Sequence, residues 1–136
     1  MIQKIKIDLM GKHPFISKKE ISLIVEEIYD KFKVDKNKFL EIVFVDPDEM
    51  QQINMRYRGI DKATDVLSFP QANNFGIDFA LGSIIICKEI ADKYQESCKE
   101  LIKHGLLHLL GYDHESDSNT WDNAANTINH KLGDDV

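Results

Sequence analysis

The sequence has only two cysteines, Cys87 and Cys98, in 136 residues. That is too few for a disulfide framework, and both sit where buried thiols are expected. No apolar run approaches the 18 or more residues of a membrane span. The first residues, Met1 to Asp8, alternate apolar and charged side chains and lack the continuous apolar core of a secretion signal. Together these absences point to a cytoplasmic protein with no membrane partner. Proline and glycine are sparse, at three and seven residues, and no repeat, linker or low-complexity tract interrupts the chain. A chain of this length is expected to form one domain over residues 1–136. Positive charge is also short: 17 Lys and Arg against 23 Asp and Glu leave a net charge of −6. That balance argues against a protein that coats nucleic acid, and no DNA partner is expected, although a local basic cleft stays compatible with it.

Strand and helix patterns alternate along the chain. Residues 2–9 read as a strand with Ile5, Ile7 and Leu9 on one face. Ser17-Lys18-Lys19-Glu20 is a capping box, and the apolar spacing from Ile21 to Phe32 predicts an amphipathic helix over 18–33. Phe39 to Val45 reads as a buried strand. Asp46-Pro47 pairs an N-cap with a first-turn proline and opens a helix to about Arg56. Gly59 breaks the chain, 65–69 reads as a third strand ended by Pro70, and 71–79 as a surface loop. Leu81 to Cys87 is the fourth strand. A helix from Lys88 to Leu110, in one or two pieces, ends at Gly111, and a last helix covers 117–131. This order predicts an α+β fold, a single-domain sandwich of helices on a mixed four-stranded sheet.

Three of the five histidines fall in the segment His104-Gly105-Leu106-Leu107-His108-Leu109-Leu110-Gly111-Tyr112-Asp113-His114. Residues four apart on a helix share a face, so His104 and His108 can hold one metal ion. Zinc needs its ligands in tetrahedral directions, so a third must come from off the helix. Gly111 ends the helix and lets the chain bring His114 back. Three imidazoles leave one position open, as catalytic zinc sites do, and no cysteine is close enough in sequence to suggest a structural fourth ligand. One Zn2+ per chain is expected. The bland alternative, that these histidines merely pack on a leucine-rich helix, fits a lone histidine far better than this trio. His13 and His130 lack such company and are expected in solvent.

The spacing His-x3-His-x5-His matches the metzincin ligand pattern and suggests a zincin-like scaffold. The general base of that pattern is missing, because Gly105 stands where its glutamate would, and no methionine follows His114. A metalloprotease is therefore the second reading. Asp65 and Asp113 are candidates to orient a ligand imidazole through its other nitrogen, with a turn or strand-start cap as the alternative for Asp65. Only two of the basic residues are arginine, Arg56 and Arg58. In a lysine-rich chain a planar guanidinium suits bidentate phosphate recognition. Lys62, Lys88, Lys99 and Lys103 are either a basic strip near the site or, more simply, a solvated face.

The segment 104–114, together with Tyr57-Arg58-Gly59-Ile60-Asp61-Lys62-Ala63-Thr64-Asp65-Val66-Leu67-Ser68-Phe69-Pro70, resembles the two motifs of the bacterial YbeY proteins, metal-dependent endoribonucleases. The resemblance implies cleavage of single-stranded RNA, maturation of ribosomal RNA at the small-subunit 3′ end, and ribosome quality control. Its implied partners are ribosomal RNA and the small ribosomal subunit. It also implies that Arg58 is a functional cleft residue, that His114 joins His104 and His108 on zinc and serves catalysis, and that Ser68 lies in the cleft. A non-catalytic, zinc-bearing ribosome-assembly factor is the third reading. The chain departs from the family at Ser83, where members usually carry Asp after the glycine, and in the last helix at Trp121, Asp122 and Asn123.

Overall fold

A computed structural model describes residues 4–70 and 80–131. The expected loop at 71–79 and the first residues of the expected N-terminal strand lie outside that range. The order of elements is β1 (Ile7–Met10), α1 (Lys18–Lys31), β2 (Phe39–Phe44), α2 (Pro47–Arg58), β3 (Val66–Pro70), β4 (Ala80–Ile86), α3 (Lys88–Lys93), α4 (Cys98–Leu109) and α5 (Ser118–Thr127). The four strands form one mixed sheet in the order β1-β2-β4-β3, in which β1, β2 and β4 are parallel and β3 runs antiparallel at the edge. The fold is the expected α+β arrangement of helices on a four-stranded mixed sheet.

Local chemistry sets the element ends. Ser17 and Glu20 form the reciprocal capping box of α1. Asp46 caps α2 with Pro47 in its first turn, and α2 continues two residues further than the sequence suggests, to Arg58. Strand β1 begins at Ile7 rather than residue 2, because pairing begins only where β2 lies alongside: Ile7 sits opposite Leu40. The long helix expected from Lys88 is broken in two, with Ser97 capping the second piece. The last helix is shorter than expected, since Asp117 is its cap and the chain turns away after Ile128.

The sheet separates two apolar clusters. On one face Leu40, Ile42, Ile84 and Ile86 meet α1, α4 and α5 through Ile21, Val25, Ile28, Leu101, Ile102, Leu106, Leu107 and Trp121. On the other, Met50 of α2 packs with Leu67, Cys87 and Ile90. Burying a Leu or Ile side chain contributes roughly 1.5–3 kcal/mol, so the apolar residues that interleave the histidines fix α4 firmly to the sheet. Gly105 makes that contact close. A Cβ there would lie 2.8 Å from Ile84 Cγ2 and 3.0 Å from its Cγ1 and Cδ1. Among the described residues, no helix is long and apolar enough to cross a membrane.

Candidate metal centre

Helix α4 brings His104 and His108 to one face, as their spacing requires. The helix then ends at Leu110 and Gly111 takes φ 96°, a left-handed conformation that favours glycine. Tyr112 N–H bonds Leu107 C=O at 3.0 Å and Gly111 N–H bonds His108 C=O at 3.0 Å, the paired bonds of a Schellman turn. This turn carries the chain back over α4. One ligand atom from each of His104, His108 and His114 then lies within 4.8 Å of the others. His104 Nε2 and His108 Nε2 are 3.1 Å apart. Two nitrogens bound tetrahedrally at zinc distances stand roughly 3.3–3.4 Å apart, so this pair needs almost no movement to share an ion.

Trp121 forms the floor of the cluster. It is buried on α5, with its ring centroid 4.9 Å from His104, 5.0 Å from His108 and 5.1 Å from His114. The apolar surroundings keep His104 and His108 neutral, the form that binds metal. Burial, reinforced by the neighbouring imidazoles, pushes His104 down to about 3. Burial also lowers His108, with His114 adding to the effect. The donor set therefore fits a borderline metal such as zinc, and its chemistry alone does not select one metal among those that favour imidazole.

His130 departs most from its expectation. It is not in solvent: it is 6% exposed, with Nε2 3.2 Å from His104 Nδ1 and Nδ1 3.2 Å from Glu100 Oε1. Asn129 adopts φ 52° after α5 and His130 N–H bonds Ala125 C=O at 2.8 Å, so a second Schellman turn swings His130 inward. His13 is likewise half-buried, stacked 5.3 Å from Phe44 with Nδ1 3.0 Å from Ile16 C=O.

The remaining candidates divide. Arg58 is exposed at the end of α2, with its guanidinium 5.9 Å over the Phe69 ring and Nη2 3.4 Å from Ser68 C=O. It is near enough to His108 to disfavour that ring's protonation. Ser68 is on edge strand β3, opposite Ile84 and hence on the α4 face of the sheet. Asp113 stands at the cluster's rim, where the backbone N–H of Glu115 and then the nearby His108 and His114 keep its carboxyl below the usual range. Asp65 is buried and serves locally: its carboxylate accepts from Val66 N–H at 2.8 Å and from Thr64 Oγ1 at 3.2 Å, the strand-start cap rather than an imidazole partner. Three of the four lysines are taken up by acids, Lys88 with Asp92, Lys99 with Glu20 and Lys103 with Glu100. Ser83 donates to Glu41 Oε1 across the sheet at 2.8 Å.

Fold and cluster define a small α+β protein with a three-imidazole, metal-compatible centre. The family model described as Endoribonuclease YbeY matches residues 7–132. An Endoribonuclease YbeY from Sulfurimonas denitrificans is 43% identical over 115 residues, which cover 76% of this chain and 79% of that protein. One from Nautilia profundicola is 37% identical over 112 residues, with the same coverage of 76% and 79%. The solution structure of TM1509 from Thermotoga maritima shares the fold, with a TM-score of 0.56 at 23% identity over 91% of this chain and 87% of that one. The chain belongs to the YbeY endoribonuclease family.

Proposed function

We propose that this protein is a zinc-dependent, single-strand-specific endoribonuclease of the cytoplasm, acting from one hydrolase domain. Its substrate is ribosomal RNA at the small-subunit 3′ end, and its work extends to ribosome quality control on the small subunit. The observation that carries the reading is the convergence of His104, His108 and His114 on one point in a chain of this family. The relatives' shared name supports RNA as the substrate.

In this reading His104, His108 and His114 would hold zinc. Bound zinc supplies Lewis acidity, which acidifies water and polarises a phosphoryl oxygen. Arg58 binds the scissile phosphodiester and offsets the charge that grows on its oxygens. Its exposed guanidinium is free to reach substrate, since its contact with Ser68 C=O at 3.4 Å is long. His114 completes the ligand set from the turn after α4, and Asp113, at the rim, would favour a cation bound there. The peptidase reading lacks its base: the position where a metzincin carries glutamate is Gly105, sealed against Ile84.

The test is metal content and cleavage of a single-stranded RNA, measured on the wild type, His108→Ala and Arg58→Glu. About one zinc per wild-type chain is expected, lost in His108→Ala together with cleavage. Arg58→Glu keeps fold and zinc and loses cleavage by about 100-fold or more, the scale of removing one charge-stabilising donor. Zinc without cleavage in the wild type would favour the assembly factor, and Arg58→Glu cutting at the normal rate would sink the role given to that residue.

A further inference from the structure

Glu100, His130 and His104 form a line of hydrogen bonds that no local sequence pattern announces. His130 Nδ1 is 3.2 Å from Glu100 Oε1, and His130 Nε2 is 3.2 Å from His104 Nδ1. His104 Nε2, at the other end, faces His108 Nε2 at 3.1 Å. Both rings are buried, at 5% and 6% exposure. Glu100 is fixed at its own end by Lys103 Nζ at 3.2 Å and by the backbone N–H of Lys131.

We propose that Glu100 and His130 are positioning residues that lock His104 in the tautomer able to bind metal, with the proton on Nδ1 and the lone pair on Nε2. The proposal rests on the reading of His104 as a metal ligand. Direction along the line follows from what each group is able to donate. A carboxylate held between an ammonium and a backbone N–H only accepts. His130 must therefore donate from Nδ1. A neutral imidazole that donates from one nitrogen accepts at the other, so His130 Nε2 takes the proton offered by His104 Nδ1–H. That leaves His104 Nε2 unprotonated and aimed at His108 and His114. The competing arrangement, an imidazolium at position 130, would donate from both nitrogens, force the His104 proton onto Nε2 and block the metal. The tautomer of His104 tells the two arrangements apart. His130 does not join the ligand set itself, because it meets His104 on the opposite edge of the ring from Nε2.

The fold holds the line in place by the end of α5. Asn129 takes the left-handed conformation that turns His130 inward. Lys31 Nζ bonds Thr127 C=O at 2.8 Å and Lys103 Nζ bonds Asn129 C=O at 3.3 Å, tying that turn to α1 and α4. Outer partners of this kind set ring orientation and basicity, and losing one weakens metal binding by about 10- to 100-fold.

The experiment combines two measurements on the full chain. Long-range proton–nitrogen NMR correlation on metal-free, 15N-labelled protein reads the tautomer of His104. Competition with a chromophoric chelator gives the zinc dissociation constant of the wild type, Glu100→Ala, His130→Ala, Glu100→Gln and His130→Gln. Expected are an Nδ1-protonated His104 in the wild type, zinc binding weakened about 10- to 100-fold in the alanine variants, and recovery of most of that loss in the glutamine variants, whose amide oxygens still accept. Unchanged affinity in folded alanine variants, or a wild-type His104 protonated on Nε2, would overturn the proposal. If the alanine variants do not fold, the wild-type tautomer and the glutamine pair decide it. If the wild type binds no zinc, the metal reading fails while the tautomer still tests the line.

Discussion

Gly105 offers a sharp test of how α4 is seated. Replacing it by alanine adds one Cβ that would stand 2.8 Å from Ile84 Cγ2 and 3.0 Å from two further atoms of the same side chain. Ile84 is fully buried in the strand between β2 and β3, so it has nowhere to retreat. Two effects oppose each other. Alanine is favoured over glycine inside a helix by about 0.8–1.0 kcal/mol. Forcing an extra carbon into a packed core costs about 1–3 kcal/mol, and three contacts at 3.0 Å or less put this site in the upper part of that range. The packing cost should win by about 1–2 kcal/mol, a fall in Tm of roughly 5 °C for a domain of this size. Urea titration followed by circular dichroism is the assay, with an unchanged m-value required. The double variant with Ile84→Ala should be less destabilised than the sum of the two single changes by about 2–3 kcal/mol, because the clash disappears. Gly105→Glu, the substitution that restores a metzincin base, should not fold natively, since the carboxylate would be driven into the apolar face of the sheet. A Gly105→Ala protein as stable as the wild type would refute the close-packing argument.

Two further outcomes follow from ionisation. His104 is held down to about 3 by burial and its neighbouring imidazoles, against an unfolded value of 6.5, so the unfolded chain binds more protons between those limits. Stability of the metal-free protein is therefore full above about pH 6.5 and lost as pH falls, by on the order of 3 kcal/mol at pH 4; urea melts that stayed flat from pH 7 to 4 would contradict this. Glu96 behaves in the opposite sense. Burial, then the carboxyl of Asp65, raise it from 4.5 to about 8, and its Oε2 is buried without a hydrogen-bond partner. The protonated acid stabilises the fold below about pH 4.5 and that stability is lost as pH rises toward 8. Glu96→Gln should gain about 1 kcal/mol at pH 8.5 and nothing at pH 4.5; an equal effect at both pH values would contradict the raised carboxyl.

The sequence was legible wherever structure is decided within four or five residues. The capping box at Ser17, the Asp46-Pro47 start of α2, and the helix stop at Gly111 are local hydrogen-bonding choices. The grouping of His104, His108 and His114 also follows from one helix and the turn that ends it. What escaped depends on tertiary contact. His130 meets His104 across 26 residues and Glu100 across 30, distances at which no periodicity speaks. Its one local sign was Asn129, a residue that tolerates the left-handed conformation at a helix end. Trp121 shared a helical face with Ala124 and Ala125, enough to predict burial but not what it would be buried against. For Asp65 an imidazole partner and a strand-start cap are both open in the sequence, and the structure takes the nearer donor, the next N–H along its own strand.

Helix ends, more than helices, build this centre. Four helices finish in the same way, with a left-handed residue at Lys33, Gln95, Gly111 or Asn129 and a long backbone bond closing the turn. Two of those turns face α4 from either side of the histidines: the one at Gly111 returns His114, and the one at Asn129 returns His130. Helix α5 lies between them and supplies Trp121 as the surface against which all four rings rest. The consequence is thermodynamic linkage. Without metal, four imidazoles and an indole are packed together with two carboxylates, Glu100 and Asp113, at the edge, and burial makes a proton taken up by His104, His108 or His130 oppose that packing. A cation bound by the three ligands favours the docked state by an amount set by its concentration over its dissociation constant. On the proposed function, metal affinity and the packing of α5 against α4 are therefore linked. Any change that loosens the Asn129 turn should weaken metal binding even though it touches no ligand.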